Sequence, residues 1–246
     1  MYLIDIHTHV YPDKIAMKAT DSVRDFYSIY GGKMDGTTKQ LLQRGKEAGI
    51  SKYVILPVAN SPERVHGIND FIVSQLQQHE EFIGFGTVHA DMAGLNEEVE
   101  RILNLGLKGI KMHPDSQRFA IDDLRLYPVY DAIQGKIPVI LHMGDQRYNY
   151  SHPVRLRRIL DLFPKLEGVL DMIYNPARTK LLMDAADRGL VAENGLWMLV
   201  AQAKEAAEWF LNKKLPDSLI QFVYDKMRRQ MENIILIGMP GCGKST

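Results

Sequence analysis

The chain has 246 residues, no formal net charge, 46% hydrophobic residues and 24% charged residues. These values are typical of a soluble globular protein, and the balanced charge argues against a nucleic-acid or membrane partner. The single cysteine, Cys242, cannot form an internal disulfide, which suits a reducing compartment. No apolar run is long enough for a membrane span, and the first residues do not form a signal peptide. We therefore expect a cytoplasmic protein.

Strand-like and helix-like segments alternate along the first two thirds of the chain. Short apolar runs predict five buried strands, over residues 2–6, 53–58, 82–88, 107–112 and 137–141. Helical spacing of apolar residues predicts helices between and after them, over residues 12–30, 37–48, 61–80, 96–105, 122–135 and 153–163. This alternation indicates parallel βαβ units.

Histidines follow four of the five predicted strands. His7 and His9 end the first strand, and His89, His113 and His142 follow the third, fourth and fifth. A (β/α)₈ barrel builds its active site at the carboxyl ends of its strands, whereas a doubly wound sheet binds ligands at a switch point. The distribution of histidines favours the barrel. The predicted fold class is therefore α/β, with a partial TIM-like (β/α) barrel of five of eight units over residues 1–167.

The His7-Thr8-His9 stretch is the first candidate metal site. Residues two apart in an extended strand point to the same side, so both imidazoles could bind one ion. The alternative is a pair of surface histidines on a loop. A histidine at the end of the fifth strand, His142, would add a third neutral imidazole. Such ligands suit Zn²⁺, and a catalytic zinc keeps one position for a water that attacks a carbonyl-like carbon.

Four motifs in this order resemble the amidohydrolase-related branch of the metal-dependent amidohydrolases. They are Asp-Ile-His-Thr-His at 5–9, Gly-Phe-Gly-Thr-Val-His at 84–89, Leu-Lys-Gly-Ile-Lys-Met-His-Pro-Asp at 107–115 and Pro-Val-Ile-Leu-His-Met-Gly-Asp at 138–145. The resemblance implies a (β/α)₈ hydrolase or decarboxylase in which His7, His9 and His142 bind Zn²⁺ or another divalent metal. His113 is expected to contact the substrate. Some relatives carry a carboxylated lysine on strand four, but Lys111 is expected to face away from the site.

Two residues that the resemblance implies have no match in this chain. The family supplies a histidine after strand six and an aspartate after strand eight, and the aspartate takes the proton from the attacking water. The segment after residue 167 matches neither. We therefore assign no catalytic residue from the sequence. The enzyme, if active, is expected to be an impaired amidohydrolase-like metal-dependent hydrolase.

The segment over residues 168–212 resembles the C-terminal end of shikimate dehydrogenase. Asp-Met-Ile-Tyr-Asn-Pro at 171–176 and Asn-Gly-Leu-Trp-Met-Leu-Val-Ala-Gln at 194–202 carry the resemblance. It places Tyr174 and Gln202 against the substrate. NADP binding is not expected, because no predicted strand is followed by a G-x-G-x-x-G turn. The alternative for residues 198–210 is an amphipathic helix that covers a sheet.

The last segment contains a phosphate-binding motif. Residues 213–231 predict a linker helix, and a strand over 233–237 continues into Gly-Met-Pro-Gly-Cys-Gly-Lys-Ser at 238–245. The stretch over 232–246 resembles the start of shikimate kinase, and its nucleotide-binding candidates are Gly238, Gly243, Lys244 and Ser245. No helix that would hold the phosphates follows the motif in this sequence, so we expect an α/β tail that ends in a truncated P-loop and does not bind ATP.

These segments predict a composite chain in which the amidohydrolase-like part carries the function. The alternative function is a shikimate-pathway fragment, a remnant of a shikimate dehydrogenase and shikimate kinase fusion without catalysis. The alternative fold is a closed barrel in which strands near residues 169, 190 and 234 supply the remaining units. A partial barrel that does not close would expose apolar sheet edges, and we expect homo-oligomers to form through them.

Overall fold

The structure of the chain is a computed structural model that describes residues 3–29, 34–145, 147–166, 168–170 and 176–231. It divides into two compact units, Met1–Leu166 and Glu167–Thr246, and each is described by itself. Some predicted site residues lie outside the described part of the chain: Tyr174, Gly238, Gly243, Lys244 and Ser245. Within the described ranges, no helix is both long enough and apolar enough to cross a membrane.

The first unit is a mixed α/β structure, as the alternating pattern predicts. Its strands are β1 (Leu3–Thr8), β2 (Ile50–Ile55), β3 (Phe82–Gly84), β4 (Gly86–Thr87), β5 (Ile110–Met112) and β6 (Val139–Leu141). Its helices are α1 (Asp13–Tyr27), α2 (Thr38–Glu47), α3 (Val65–Gln78), α4 (Leu95–Asn104), α5 (Pro114–Gln117), α6 (Tyr127–Ile133) and α7 (Pro153–Leu162). The four-residue α5 has no counterpart among the predicted helices, because a single turn shows no apolar periodicity.

All strand pairs in the described residues are parallel. β1, β2 and β3 form one sheet in that order, and β4, β5 and β6 form a second. The strand predicted over 82–88 is interrupted at Phe85, whose amide donates to the Ile55 carbonyl at 3.1 Å. Glycine at position 109 leaves room for the Phe85 ring, since a Cβ there would overlap it. Parallel βα units are therefore confirmed, whereas the barrel of five of eight units stays a prediction.

Strand register places the residues after β5 and β6 side by side. Met112 of β5 pairs with Leu141 of β6, so the next residues, His113 and His142, leave the sheet at the same level. The amide of His142 donates to the Met112 carbonyl at 3.0 Å, which continues this alignment by one residue. Two of the predicted site histidines are thus neighbours because their strands are neighbours in register.

A buried polar network joins α3 to α4 and to strand β4. The carboxylate of Glu98, a residue that is 1% exposed, accepts hydrogen bonds from Asn69 Nδ2 at 2.6 Å and from Arg101 Nε at 2.8 Å. Asn69 also bonds the backbone carbonyl and amide of Thr87, at 3.0 Å and 2.9 Å. The buried carboxylate is paired, as a charge in the interior must be, and the network fixes the strand that precedes His89.

The second unit contains two strands and three helices in its described part. They are β7 (Gly168–Leu170), β8 (Val191–Glu193), α8 (Lys180–Ala186), α9 (Leu196–Leu211) and α10 (Ser218–Met231). β7 and β8 pair in parallel as a sheet of their own. Leu196 and Val200 of α9 pack with Ile220 of α10. The helix that was predicted as the alternative interpretation of residues 198–210 is therefore present, as part of α9.

Two apolar side chains of β1 are exposed. Ile4 is 45% exposed and Ile6 is 59% exposed. β1 pairs with β2 on one side, and among the residues that the structure describes no strand pairs with its other side. Apolar side chains at such an edge are the kind of surface through which chains associate, and homo-oligomer formation stays a prediction.

Candidate functional site

Four histidines and one lysine form a cluster at the strand ends of the first unit. The rings of His113 and His142 stack with their centroids 3.9 Å apart and their planes 10° from parallel. The rings of His7 and His9 meet edge to face at 5.1 Å. The charge of Lys111 acts on all four rings, and His142 acts on the other three. The predicted metal ligands and the predicted substrate contact His113 are therefore brought together.

His9 has the hydrogen bonding that metal-binding histidines usually show. Its ring nitrogen Nδ1 lies 2.6 Å from the carbonyl oxygen of Leu56. A carbonyl can only accept a hydrogen bond, so Nδ1 carries the proton and Nε2 presents a lone pair. A metal-ligating histidine almost always donates its second nitrogen to a carbonyl, a carboxylate or a water. On the same strand, the carboxylate of Asp5 accepts the backbone N–H of His7 at 3.1 Å, which gives Asp5 a structural role.

The four rings are in the neutral form at pH 7. Burial lowers the pKa of His113 to about 3 and lowers the pKa values of His7 and His142 from their ordinary value. Desolvation and the charge of His7 lower the pKa of His9 to about 4, although the surface of His9 counts as exposed. Neutral imidazole is the form that binds a metal ion, so the protonation states suit the predicted site.

The phenol of Tyr27, at the end of α1, bridges the stacked pair. His113 Nδ1 accepts the backbone N–H of Ser116 at 3.2 Å, so the proton of the neutral ring is assigned to Nε2. That Nε2–H donates to the Tyr27 hydroxyl oxygen at 2.6 Å. The hydroxyl proton is then free to donate to His142 Nε2, 3.2 Å away. The same hydroxyl lies 3.5 Å from His142 Nδ1, so whichever nitrogen of the neutral ring is unprotonated is within its reach.

Arg147 binds the end of α1 next to the Tyr27 phenol. Its guanidinium donates to both carboxylate oxygens of Asp145, at 3.0 Å and 2.6 Å, and to the Phe26 carbonyl at 2.5 Å. The guanidinium carbon also lies 4.3 Å from the centroid of the Phe26 ring. Hydrogen bonding to Arg147 lowers the pKa of Asp145 to about 2. An open pocket of about 410 Å³ lies here, lined by Tyr27, Ser28, His142, Met143, Gly144, Asp145 and Arg147.

Lys111 belongs to the cluster, so the expectation that it faces away is wrong. Lys111 is 1% exposed, and among the described residues its Nζ has no hydrogen-bond partner. Burial lowers the pKa of Lys111 to about 8. Positions 111 and 113 are two apart along β5 and its end, so both side chains lie on the same side of the sheet as the histidines. The spacing of two residues is visible in the sequence, and it predicts that Lys111 and His113 point to the same side of the sheet.

The donor set fits a divalent ion in its chemistry, although its geometry is not that of a complete ligand shell. Over the described ranges, no group of three or more His, Cys, Asp or Glu side chains is spaced to hold a metal ion. His9 presents an unprotonated Nε2 next to His7, and Lys111 Nζ is an orphaned buried polar atom in the same place. That His7, His9 and His142 hold such an ion stays a prediction.

Two further residues that the sequence singles out are His89 in the first unit and Gln202 in the second. His89 is buried, and its Nδ1 accepts the backbone N–H of Asp91 at 3.2 Å while its ring meets Phe119 edge to face. It therefore stabilises the turn after β4. Gln202, predicted to contact substrate, is an exposed residue of α9 in the second unit.

Sequence analysis missed four residues of the site: Tyr27, Lys111, Asp115 and Arg147. Asp115 is 1% exposed, and its Oδ2 accepts the Ser151 hydroxyl at 2.5 Å. Its Oδ1 has no partner among the described residues, and its charge acts on His142. Lys111 and Asp115 lie in the motif that contains His113, which was a usable signal. Tyr27 lies at the end of α1 and Arg147 lies in the loop after β6. No local sequence pattern predicts that either residue belongs to the site.

A family model described as Amidohydrolase matches residues 4–188 of the chain. The chain belongs to the amidohydrolase family. The resemblance carried by the four motifs is thereby confirmed, and the match extends beyond the first compact unit to residue 188.

The amidohydrolase chain is also similar over part of its length to shikimate dehydrogenase (NADP(+)). It is 38% identical over 64 residues to the protein from Clostridium perfringens, covering 26% of this chain and 24% of that protein. It is 46% identical over 59 residues to the protein from Streptococcus gordonii, covering 24% of this chain and 21% of that protein. The chain thus spans about a quarter of the length of these curated relatives. The likeness to shikimate dehydrogenase is confirmed, whereas that of residues 232–246 to shikimate kinase stays a prediction.

Two solved structures align with most of this amidohydrolase chain. A probable 2-pyrone-4,6-dicarboxylic acid hydrolase from Acinetobacter baumannii has a TM-score of 0.45 at 16% identity, covering 94% of this chain and 92% of that one. Shikimate dehydrogenase 1 from Peptoclostridium difficile has a TM-score of 0.34 at 14% identity, covering 95% of this chain and 100% of that one.

Proposed function

We propose that the chain is a metal-dependent hydrolase of the amidohydrolase-related type, with one divalent ion held by His7, His9 and His142. Zn²⁺ is the expected metal, because neutral imidazoles suit it. The observation that carries the proposal is the hydrogen bond from His9 Nδ1 to the Leu56 carbonyl, which leaves Nε2 unprotonated beside the ring of His7. Membership of the amidohydrolase family supports the hydrolase class.

The reaction we infer is hydrolysis at a carbonyl-like carbon of a small molecule, or a related decarboxylation. A bound divalent ion would supply a water of lowered pKa and would polarise the substrate oxygen. The residues of the chain would bind and orient the substrate. His113 is the proposed substrate contact, and Lys111 offers a buried amine without a described partner to a substrate oxygen. The open pocket beside His142 gives a small molecule room to bind.

Weak turnover is part of this proposal. No residue matches the aspartate that the family resemblance implies as the proton acceptor, so proton removal from the attacking water would be slow. We also infer that neither ATP nor NADP is a cofactor and that the protein is cytoplasmic. The single cysteine and the balanced charge support that location.

The second candidate function is a shikimate-pathway fragment without catalysis. Similarity to shikimate dehydrogenase over about a quarter of the chain favours it. In that case Tyr174 and Gln202 would contact shikimate, and residues 238–245 would be a remnant of a nucleotide site. Shikimate binding to the full chain, unaffected by metal removal, would favour this candidate over the hydrolase.

The proposed function is tested by comparing the zinc-loaded full chain with the same protein after treatment with a chelator. The substrates are a panel of small esters, lactones and amides. We expect slow hydrolysis above the rate in buffer, which chelation removes and added Zn²⁺ restores, because the ion supplies the activated water. Equal rates for the loaded and the chelated protein would contradict the proposal.

A further inference from the structure

The one unprotonated nitrogen of the neutral His142 ring is required by two different partners. Under the proposed function, on which this inference rests, its lone pair binds a divalent ion. In the structure the hydroxyl of Tyr27 lies 3.2 Å from Nε2 and 3.5 Å from Nδ1 of this ring, so it donates to whichever of them is unprotonated. A neutral imidazole has one unprotonated ring nitrogen, and a lone pair that accepts a hydrogen bond is not free for a metal. The two arrangements exclude each other.

We propose that Tyr27 is a gate on the metal site, and that its phenol must leave His142 before an ion binds there. The direction of the hydrogen bonds supports this exclusion. His113 Nε2–H already donates to the phenol oxygen at 2.6 Å, so the single hydroxyl proton points to His142. The tautomer of His113 is fixed in turn by Ser116, whose amide donates to Nδ1 at 3.2 Å. The closed arrangement is therefore set by three successive hydrogen bonds, from Ser116 to His113, from His113 to Tyr27 and from Tyr27 to His142.

Contacts from a second element hold the gate closed. The Tyr27 ring packs edge to face on Phe26, with centroids 4.9 Å apart. Arg147 binds the Phe26 carbonyl at 2.5 Å and is itself held by Asp145 through two hydrogen bonds. The position of the phenol thus depends on the loop that follows β6, which also carries His142. A change at Arg147 should loosen the phenol without touching any proposed ligand.

The position of Tyr27 in α1 allows its side chain to move without unfolding the helix. Tyr27 is the last residue of α1, and Ser28 after it has the left-handed backbone angle φ of 53° that ends the helix. The residue is 37% exposed and lines the open pocket of about 410 Å³. Rotation about its side-chain bonds could therefore carry the phenol from His142 into the pocket.

The gate makes a prediction of unusual sign, because removing a polar group should strengthen metal binding. Tyr27→Phe removes the hydroxyl that competes for the unprotonated nitrogen of His142. Breaking one neutral hydrogen bond is a small change, so Zn²⁺ affinity is expected to rise about fivefold. Arg147→Gln should raise it in the same direction by loosening the phenol. The matched control is Tyr148→Phe, since the ring of Tyr148 stacks on Tyr150 at 6.0 Å, and no change in affinity is expected.

The experiment is calorimetric titration of Zn²⁺ into the full chain and the three variants, with the tyrosine ultraviolet difference spectrum recorded alongside. Tighter binding by Tyr27→Phe, together with a zinc-induced spectral change in wild type and Tyr148→Phe that Tyr27→Phe lacks, supports the gate. Equal or weaker zinc affinity in Tyr27→Phe overturns the gate and leaves the metal site standing. Absence of zinc binding in every protein overturns both the gate and the proposed function. If Tyr27→Phe does not fold, Arg147→Gln supplies the same comparison.

Discussion

Replacing His142 with alanine is expected to weaken Zn²⁺ binding at least about a hundredfold. Changes that remove only the partner of a metal-binding histidine already cost about ten- to a hundredfold in affinity, so losing a ligand should cost no less. His142 stacks on His113 and lowers the pKa values of His7 and His9, so it is the residue that joins the two histidine pairs. Competition with a chromophoric zinc chelator measures the effect.

The matched control for this variant is His152→Ala. His152 begins α7, where its Nδ1 accepts the Val154 amide at 3.3 Å, and it is exposed. The change removes a helix cap and one imidazole, so it should lower stability slightly and leave zinc affinity unchanged. Similar losses of affinity in both variants, or none in His142→Ala, would show that zinc binds elsewhere.

Replacing Lys111 with methionine is expected to stabilise the first unit by about 1 to 3 kcal/mol at pH 7. Methionine keeps the length of the side chain and removes a buried amine that has no partner among the described residues. Burial lowers the pKa of Lys111 from 10.5 to about 8, and each pKa unit corresponds to about 1.4 kcal/mol of folding free energy, which sets the upper limit. Urea unfolding followed by circular dichroism measures the gain.

The effect of Lys111 on stability has a defined pH dependence. Between pH 8 and 10.5 the unfolded chain binds the lysine proton and the folded chain does not, so the wild type gains stability as pH rises through this window. Below pH 8 the full penalty is present. Lys111→Met should lack this rise, whereas Lys108→Met, at an exposed position, should keep it. A destabilised Lys111→Met would mean that the amine has a partner and stabilises the fold.

The sequence was sufficient to predict the histidine cluster, because its cause is local. Apolar runs predicted the strands, and parallel strands carry their carboxyl ends to one edge, so His113 and His142 had to be neighbours once β5 and β6 paired in register. The same parity rule should have assigned Lys111 to the site. Lys111 was expected to face away because the placement of His113 in the pocket, whose parity it shares, rested on the family resemblance alone.

Tyr27 and Arg147 could not be predicted in the same way. Their contacts join the end of α1 to the loop after β6, across about 120 residues of sequence, and depend on where the helix ends rather than on its periodicity. The interruption at Phe85 has a similar origin, because the ring occupies space that Gly109, the residue before β5, provides. Long-range packing decides such details, and a single sequence carries no pattern for them.

The most direct test of the account is the zinc content per chain of freshly purified full-length protein, prepared without chelator, beside that of the His7→Ala/His9→Ala variant. Elemental analysis should find close to one zinc per wild-type chain and almost none in the variant, because the variant lacks two of the three proposed ligands. A wild-type chain without zinc, or equal zinc in both proteins, would contradict a metal site built on His7, His9 and His142.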